Sequence, residues 1–212
     1  MNPDIIVDFP KISCPYRREG EDYNAVDVVN SDESMEWVFD PRQCNLAVDK
    51  LDGTNICVHV RNGEIVAVDN RTTRKPILKV SAQTRWEGAC LEGLSGAIMR
   101  GWMKEYVNAD IYGELIGPIF NGNRHQTPTH LFVPFDYLKK TCAWRSWAQN
   151  KYPRDFATLS EWFKELPSLF NTRMKLPDIK AEGLVFYHVD GVRMAKLRRD
   201  MYPWYKGQRH GD

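Results

Sequence analysis

An Asn62–Gly63 pair separates two segments that are rich in β-forming residues. Asn-Gly is a strong signal for a tight hairpin turn, because both residues tolerate the positive φ angles that such a turn requires. The flanking segments TNICVHV and IVAVDN therefore predict paired antiparallel strands, and CNLAVDK predicts a strand just before them. A second hairpin is predicted where GLVFYH and VRMAKL flank the turn at residues 189–191. Such short turns disfavour a doubly wound parallel sheet.

The spacing of apolar residues changes between the two hairpins. Apolar residues recur every four positions from Ser81 to Val107, which predicts an amphipathic helix. The segment Thr158–Glu161 has the spacing of a capping box and predicts the start of a shorter helix. Further strands are predicted at Asp110–Ile116 and Leu131–Leu138. This order predicts an α+β fold with antiparallel or mixed sheets and flanking helices, in one compact domain over residues 1–212.

The net charge of the chain is close to zero, so overall electrostatic attraction does not explain binding of a highly charged partner. The chain has 29 basic and 28 acidic residues, so a nucleic-acid partner must be held by local basic patches such as Arg71–Lys75 and Arg193–Arg199. There is no signal-peptide pattern and no apolar run of the length that a membrane span needs, so we expect no membrane partner. The five cysteines lack metal or disulfide spacing and predict reduced core residues in a cytoplasmic protein.

The segment Lys50-Leu51-Asp52-Gly53 carries the clearest chemical signal, although alone it also fits a strand-ending turn with a solvated lysine. A lysine attacks phosphorus only when its surroundings disfavour the ammonium form, and the attacked α-phosphate needs cations or a metal beside it. A covalent lysine mechanism therefore requires bases and carboxylates to converge from different strands. The sequence contains neither of the common glycine-rich phosphate loops.

Several segments in order along the chain resemble the covalent nucleotidyltransferase superfamily of RNA ligases, DNA ligases and mRNA capping enzymes. They are Lys50–Gly53, Asn70–Thr72, Tyr112–Leu115, Phe135–Asp136, Glu182–Val185 and Lys196–Arg198. Asn55 stands where DNA ligases and capping enzymes usually carry arginine, and Arg198-Arg199-Asp200 followed by Pro203-Trp204 is similar to phage-type RNA ligases. The resemblance implies a nucleotidyltransferase (adenylyltransferase) domain of the ATP-grasp-like ligase type, in the host cytoplasm if the chain is phage-encoded.

The resemblance also implies a role for individual residues, with ATP as co-substrate and Mg²⁺ or Mn²⁺ as the metal. The implied catalytic residues are Lys50, Lys196, Arg198 and Arg71. The implied nucleotide-binding residues are Asp49, Lys50, Asn55, Arg71, Glu114, Phe135, Glu182, Lys196 and Arg198. The implied metal-organising residues are Asp52, Glu114 and Glu182. Asp49 replaces the more common glutamate, and Lys196-x-Arg198 replaces Lys-x-Lys.

Several of these assignments have a structural alternative. Glu114 and Glu182 also fit the solvent face of a strand, Phe135 also fits plain core, and Arg71 also fits a solvated loop. His125 and His130 lie in or beside a loop over Asn121–Thr129 to which the sequence gives no role.

The resemblance predicts an ATP-dependent RNA ligase. Lys50 would take AMP from ATP, AMP would pass to a nucleic-acid 5′-phosphate, and a 3′-hydroxyl would displace it. The alternatives are a capping-type guanylyltransferase and a nucleotide- or RNA-binding module without turnover. RNA ends are the expected partners, and the sequence does not separate them from DNA ends. The residues after Arg198 are too few for an OB domain or a helical C-terminal domain, so either the catalytic domain or an accessory protein grips the RNA.

Overall fold

A computed structural model describes residues 9, 12–70, 74–76, 84–151 and 154–207. The strands are β1 (Tyr16–Glu19), β2 (Asn24–Val29), β3 (Cys44–Lys50), β4 (Thr54–Arg61), β5 (Glu64–Asp69), β6 (Arg74–Pro76), β7 (Ala109–Ile116), β8 (Leu131–Pro134), β9 (Gly183–His188) and β10 (Met194–Arg198). The helices are α1 (Arg85–Met99), α2 (Phe135–Thr141), α3 (Arg145–Ala148), α4 (Phe156–Glu165) and α5 (Leu169–Met174). The ladders between these strands are antiparallel, which confirms the predicted α+β class.

The chain groups into two compact units. Unit 1 contains residues Met1–Pro10 and Leu51–Thr141, and unit 2 contains Lys11–Lys50 and Cys142–Asp212. The single nucleotidyltransferase domain expected from the sequence stays a prediction.

Unit 1 is built on a sheet with the strand order β6-β5-β4-β7-β8. Apolar residues at alternate positions of β4 and β7, among them Ile56, Val58 and Leu115, form a core with α1. Side chains alternate between the two faces of a strand, so the residues between these face the other way. Asn55 and Glu114 are direct partners in the β4–β7 register and therefore share that second face.

Unit 2 contains a sheet with the strand order β10-β9-β3. Ala47, Phe186 and Ala195 are aligned across the three strands and belong to the core of this unit. Lys50 pairs with Gly183, which in turn pairs with Arg198. Because this row is an odd number of residues away from the core row along each strand, Lys50 and Arg198 project from the opposite face.

Both predicted hairpins are confirmed, as β4–β5 and β9–β10. The predicted helix from Ser81 to Val107 is confirmed in its middle, but it ends at Met99, followed by Gly101 with a φ of 70°. The strand predicted over Leu131–Leu138 stops at Pro134, which has no amide hydrogen for a further ladder bond, and a helix starts at Phe135.

The prediction that Thr158–Glu161 caps a helix was wrong. The helix α4 begins at Phe156, and the carboxylate of Asp155 accepts the amide hydrogen of Thr158 at 2.9 Å. Aspartate is a strong N-cap residue, so it takes the position three residues before the predicted one. A capping box does occur on α1, where Thr84 and Glu87 bond reciprocally.

Two further expectations concern the cysteines and the membrane. All five cysteines are free and buried, as predicted, and burial raises the pKa of the Cys57 thiol to about 11. In the described part of the chain, no helix has the length and apolar character needed to cross a bilayer.

Candidate active site

Lys50 is the last residue of β3 in unit 2, and its ammonium is ion-paired. Its Nζ lies 3.0 Å from Oε2 of Glu182, with side-chain exposures of 24% and 8%. Glu182 immediately precedes β9, the strand that pairs with β3, so the antiparallel register brings its carboxylate beside the lysine. The structure therefore unites the predicted nucleophile with one of the predicted metal-organising acids.

The residue that follows Glu182 is Gly183, and a side chain at this position would collide with its neighbours. A Cβ atom at this position would lie 2.8 Å from the carbonyl oxygen of Leu197 and 3.1 Å from Cδ of Lys50. The first distance is shorter than real Cβ contacts, and the second requires the lysine stem to move. Gly183 thus provides the space in which the lysine side chain crosses the central strand.

Lys196 and Arg198 lie on β10, at alternate positions that share the face of Lys50. Lys196 is half-buried, whereas Arg198 is buried with its Nε 3.0 Å from Oδ1 of Asp200, which is also buried. Any phosphate bound by Arg198 would share its guanidinium with Asp200. The sequence did not predict a role for this acid.

Asp49 projects to the opposite face of β3 from Lys50 and is buried in the interior of unit 2. Its Oδ2 accepts hydrogen bonds from the Ser168 hydroxyl at 2.7 Å and from the Phe170 amide at 2.9 Å. Burial raises the pKa of the Asp49 carboxyl to about 7, even though these hydrogen bonds act to lower it. The predicted adenine contact stays a prediction, and the observed partners are structural ones at the first turn of α5.

Asp52 and Glu114, in unit 1, are both 8% exposed. Oε1 of Glu114 accepts the amide hydrogen of Gly53 at 3.0 Å. A Cβ atom on Gly53 would lie 2.4 Å from the carbonyl oxygen of Leu115, so only glycine allows this approach. Asn55 is exposed on the same sheet face as Glu114. The structure thus gathers Asp52, Gly53 and Glu114 at one end of β4 and β7.

The loop that follows β7 makes contacts that the sequence did not predict. Nδ2 of Asn121 donates to Oδ1 of Asp52 at 2.7 Å and to the carbonyl oxygen of Gly53 at 3.1 Å. The amide of Asp52 donates to Nε2 of His125 at 3.0 Å. These residues are about 70 positions from Asp52 in the chain, in a segment without periodic pattern, and only its glycine- and asparagine-rich composition marked it as a loop.

Two predicted residues, Phe135 and Arg71, belong neither to the group around Lys50 and Glu182 nor to the group around Asp52 and Glu114. Phe135 is half-buried as the first residue of α2, and its predicted stacking on a base stays a prediction. Arg71 lies outside the described residues. Arg74, from the same basic segment, is ion-paired to the buried Asp69 at 2.8 Å, so part of that segment's charge is neutralised within the protein.

Within residues 9, 12–70, 74–76, 84–151 and 154–207, no group of three or more His, Cys, Asp or Glu side chains has a metal-holding arrangement. The candidate donors are carboxylate oxygens, which suit a hard ion such as Mg²⁺ or Mn²⁺. Mg²⁺ commonly keeps several waters and takes only one or two protein carboxylates, so the donor set fits an ion held largely through water and phosphate.

The antiparallel α+β fold thus carries a strand-end lysine that is paired with a glutamate. The sequence model of the RNA ligase family matches residues 47–206, and the chain belongs to that family.

Solved structures to which the chain is similar include RNA ligases of Naegleria gruberi. One is a lysine-to-methionine mutant with AMP and Mn, at 17% identity and a TM-score of 0.49, with 92% of this chain and 58% of that chain covered. Another was solved with pyrophosphate, at 19% identity and a TM-score of 0.48, with 89% and 61% covered. The chain thus spans about three fifths of the length of these ligases. No match was found among curated proteins.

Proposed function

We propose that the protein is an ATP-dependent RNA ligase that works through a covalent lysyl-AMP on Lys50. The observation that carries the proposal is the ion pair of Lys50 with Glu182, on a sheet face that also bears Lys196 and Arg198. A nucleophilic amine, an acid and two cations on one face are what nucleotidyl transfer from a triphosphate requires. Membership of the RNA ligase family supports the choice of RNA ends as substrate.

In the first step a bond forms between Nζ of Lys50 and the α-phosphorus of ATP, and the bond to pyrophosphate breaks. The ammonium must lose its proton before the attack, because only the free amine has a lone pair. Glu182, whose Oε2 lies 3.0 Å from Nζ, is an acid in position to accept that proton. Lys196 and Arg198 would neutralise charge that develops on the α-phosphate.

The remaining roles are those that the resemblance implies. Asn55 and Arg71 would position the 5′-phosphate end, and Phe135 would stack on the base. AMP would then pass from Lys50 to the 5′-phosphate, and a 3′-hydroxyl would attack that phosphate and release AMP.

As the resemblance implies, Asp52, Glu114 and Glu182 would organise a divalent ion. When bound, such an ion neutralises phosphate charge at the reacting phosphorus. Asp52 and Glu114 are both nearly buried, so their charges would be incompletely screened by solvent.

The test uses the purified chain with Mg²⁺ or Mn²⁺ and α-labelled ATP or α-labelled GTP. We expect label on the protein with ATP, and its transfer to 5′-phosphorylated RNA followed by sealing. Label with GTP alone would show a guanylyltransferase instead. Nucleotide or RNA binding without any label would show a module without turnover. Offering DNA ends beside RNA ends, nicked and single-stranded, identifies the acceptor, and sealing only after addition of a cell extract would indicate an accessory protein.

A further inference from the structure

The short turn between β3 and β4 carries Asp52 and is held by side chains rather than by a β ladder. Residues 51–53 belong to no strand, so their backbone groups need partners elsewhere. The amide of Asp52 is satisfied by His125, the amide of Gly53 by Glu114 and the carbonyl of Gly53 by Asn121. Two of these three partners come from the loop after β7.

Asn121 also orients the side chain of Asp52. Its amide group has two hydrogens, and both find acceptors: Oδ1 of Asp52 and the carbonyl oxygen of Gly53. The carboxylate is therefore tied to the backbone of its own turn. A neutral amide does this without cancelling the negative charge, as a lysine or arginine in the same place would.

His125 fixes the backbone on the other side of Asp52. Nε2 accepts the Asp52 amide hydrogen, so this nitrogen carries a lone pair and the imidazole is the neutral form with its hydrogen on Nδ1. The ring is 1% exposed, so water does not compete for the bond. The two contacts thus restrain the main chain and the carboxylate of one residue.

The loop has its own internal support. The side chain of Asn123 donates to the carbonyl of Thr127 at 2.9 Å and accepts the amide hydrogen of Thr127 at 3.1 Å. Asn121 and Asn123 both have positive φ angles, 46° and 51°, a conformation that asparagine tolerates better than most residues other than glycine. A loop that is braced from within presents its side chains in fixed directions.

We infer that Asn121 and His125 are positioning residues for Asp52 in nucleotidyl transfer. This inference rests on the proposed function, in which Asp52 helps to organise the divalent ion. Neither residue needs to touch nucleotide or metal. Their effect is to hold the Asp52 carboxylate in one orientation, two residues after Lys50 in the chain. Loss of such supporting contacts typically costs about 10- to 100-fold in metal affinity or activity.

The experiment measures the single-turnover rate of lysyl-AMP formation as a function of Mg²⁺ concentration at saturating ATP. The variants are Asn121→Ala, His125→Ala and His125→Gln, with Thr129→Ala as the control from an exposed position in the same loop. We expect the two alanine variants to need about 10- to 100-fold more Mg²⁺ for half-maximal rate. Glutamine at position 125 offers an acceptor oxygen and should restore part of the loss. Thr129→Ala should match the wild type.

A thermal melt of each variant separates positioning from folding. A raised Mg²⁺ requirement at unchanged melting temperature supports the inference. Variants with wild-type Mg²⁺ dependence, or a loss of rate that only follows a loss of folded protein, overturn it while leaving the proposed function intact. A wild-type chain that never takes up label overturns the proposed function, and this inference with it.

Discussion

The ammonium of Lys50 lies 3.0 Å from the carboxylate of Glu182, and the residue after that glutamate is a glycine over which the lysine stem passes. One short segment therefore supplies both the charge partner and the space for the nucleophile. The ion pair holds the amine in place before nucleotide binds, and because an adjacent carboxylate favours the charged ammonium, this pair must be broken or its proton transferred before attack.

Replacement of Glu182 by glutamine should lower the rate of lysyl-AMP formation by about 100-fold. The amide keeps the shape of the side chain but cannot carry the charge that pairs with Lys50 and, in the proposed function, attracts the metal. Single-turnover labelling with α-labelled ATP measures the effect. Glu165→Gln is the matched control, since Glu165 is 81% exposed and pairs with Lys180 on the same unit. Equal rates for both variants would remove Glu182 from the chemistry.

Replacement of Gly183 by alanine should displace the lysine side chain. The new methyl group would meet the Leu197 carbonyl at 2.8 Å and Cδ of Lys50 at 3.1 Å. We expect a rate loss of about 100-fold, because a misplacement of about 1 Å at a reacting group can have that effect. We also expect a destabilisation of about 1–3 kcal/mol from overpacking. Gly88→Ala on α1 is the control, since a Cβ there meets nothing within 4 Å; a Gly183→Ala enzyme as fast as this control contradicts the account.

Asp49 should make the folded protein less stable as pH rises. Its folded pKa is raised by burial to about 7, from an ordinary value of 3.8. Between these values the folded state binds more protons than the unfolded state, so the free energy of unfolding falls with increasing pH, by up to a few kcal/mol. Urea unfolding across this range, compared with Asp49→Asn, measures the effect. The variant cannot ionise at this position and should show a flatter profile, whereas superimposable profiles would argue against a protonated Asp49.

Asp69 in unit 1 should have the opposite effect and make the folded protein less stable as pH falls. It is fully buried, and hydrogen bonds from Arg74 and His59 outweigh the effect of burial and lower the pKa of its carboxyl. A depressed folded pKa contributes stability above the unfolded value, and that stability is lost as pH falls. Asp69→Asn should therefore destabilise the protein at neutral pH by about 2–3 kcal/mol, and by less in acid. Thermal unfolding at several pH values tests this, with the half-exposed Asp110→Asn as a milder control; a pH-independent difference would be the contrary result.

Local signals explain why much of the fold was predictable. The Asn62–Gly63 turn and the alternation in the flanking strands specify a hairpin within a few residues, and the structure has it. The predicted boundaries of α1 and α4 were less accurate. The N-cap Asp155 sets the start of α4, and Gly101, with its positive φ, follows the end of α1. The spacing of apolar residues reports neither feature.

The candidate site was predictable only where residues stand in motifs. The pairing of Lys50 with Glu182 follows from the register of β3 on β9, which no local pattern specifies. The alternation of side chains along β3 does place Asp49 opposite to Lys50, and that signal was available in the sequence. Asn121 and His125 gave no such signal, because their contacts with Asp52 depend on the path of an irregular loop.

Peptide mapping by mass spectrometry shows whether Lys50 becomes covalently adenylylated, as the proposed function requires. The chain is incubated with ATP and Mg²⁺, digested under conditions that preserve a phosphoramidate, and compared with Lys50→Arg, which keeps the charge but not the nucleophile. We expect one AMP adduct, on the peptide that contains Lys50, and none in the variant. An adduct on another residue, or an adduct that persists in Lys50→Arg, would show that Lys50 is not the nucleophile.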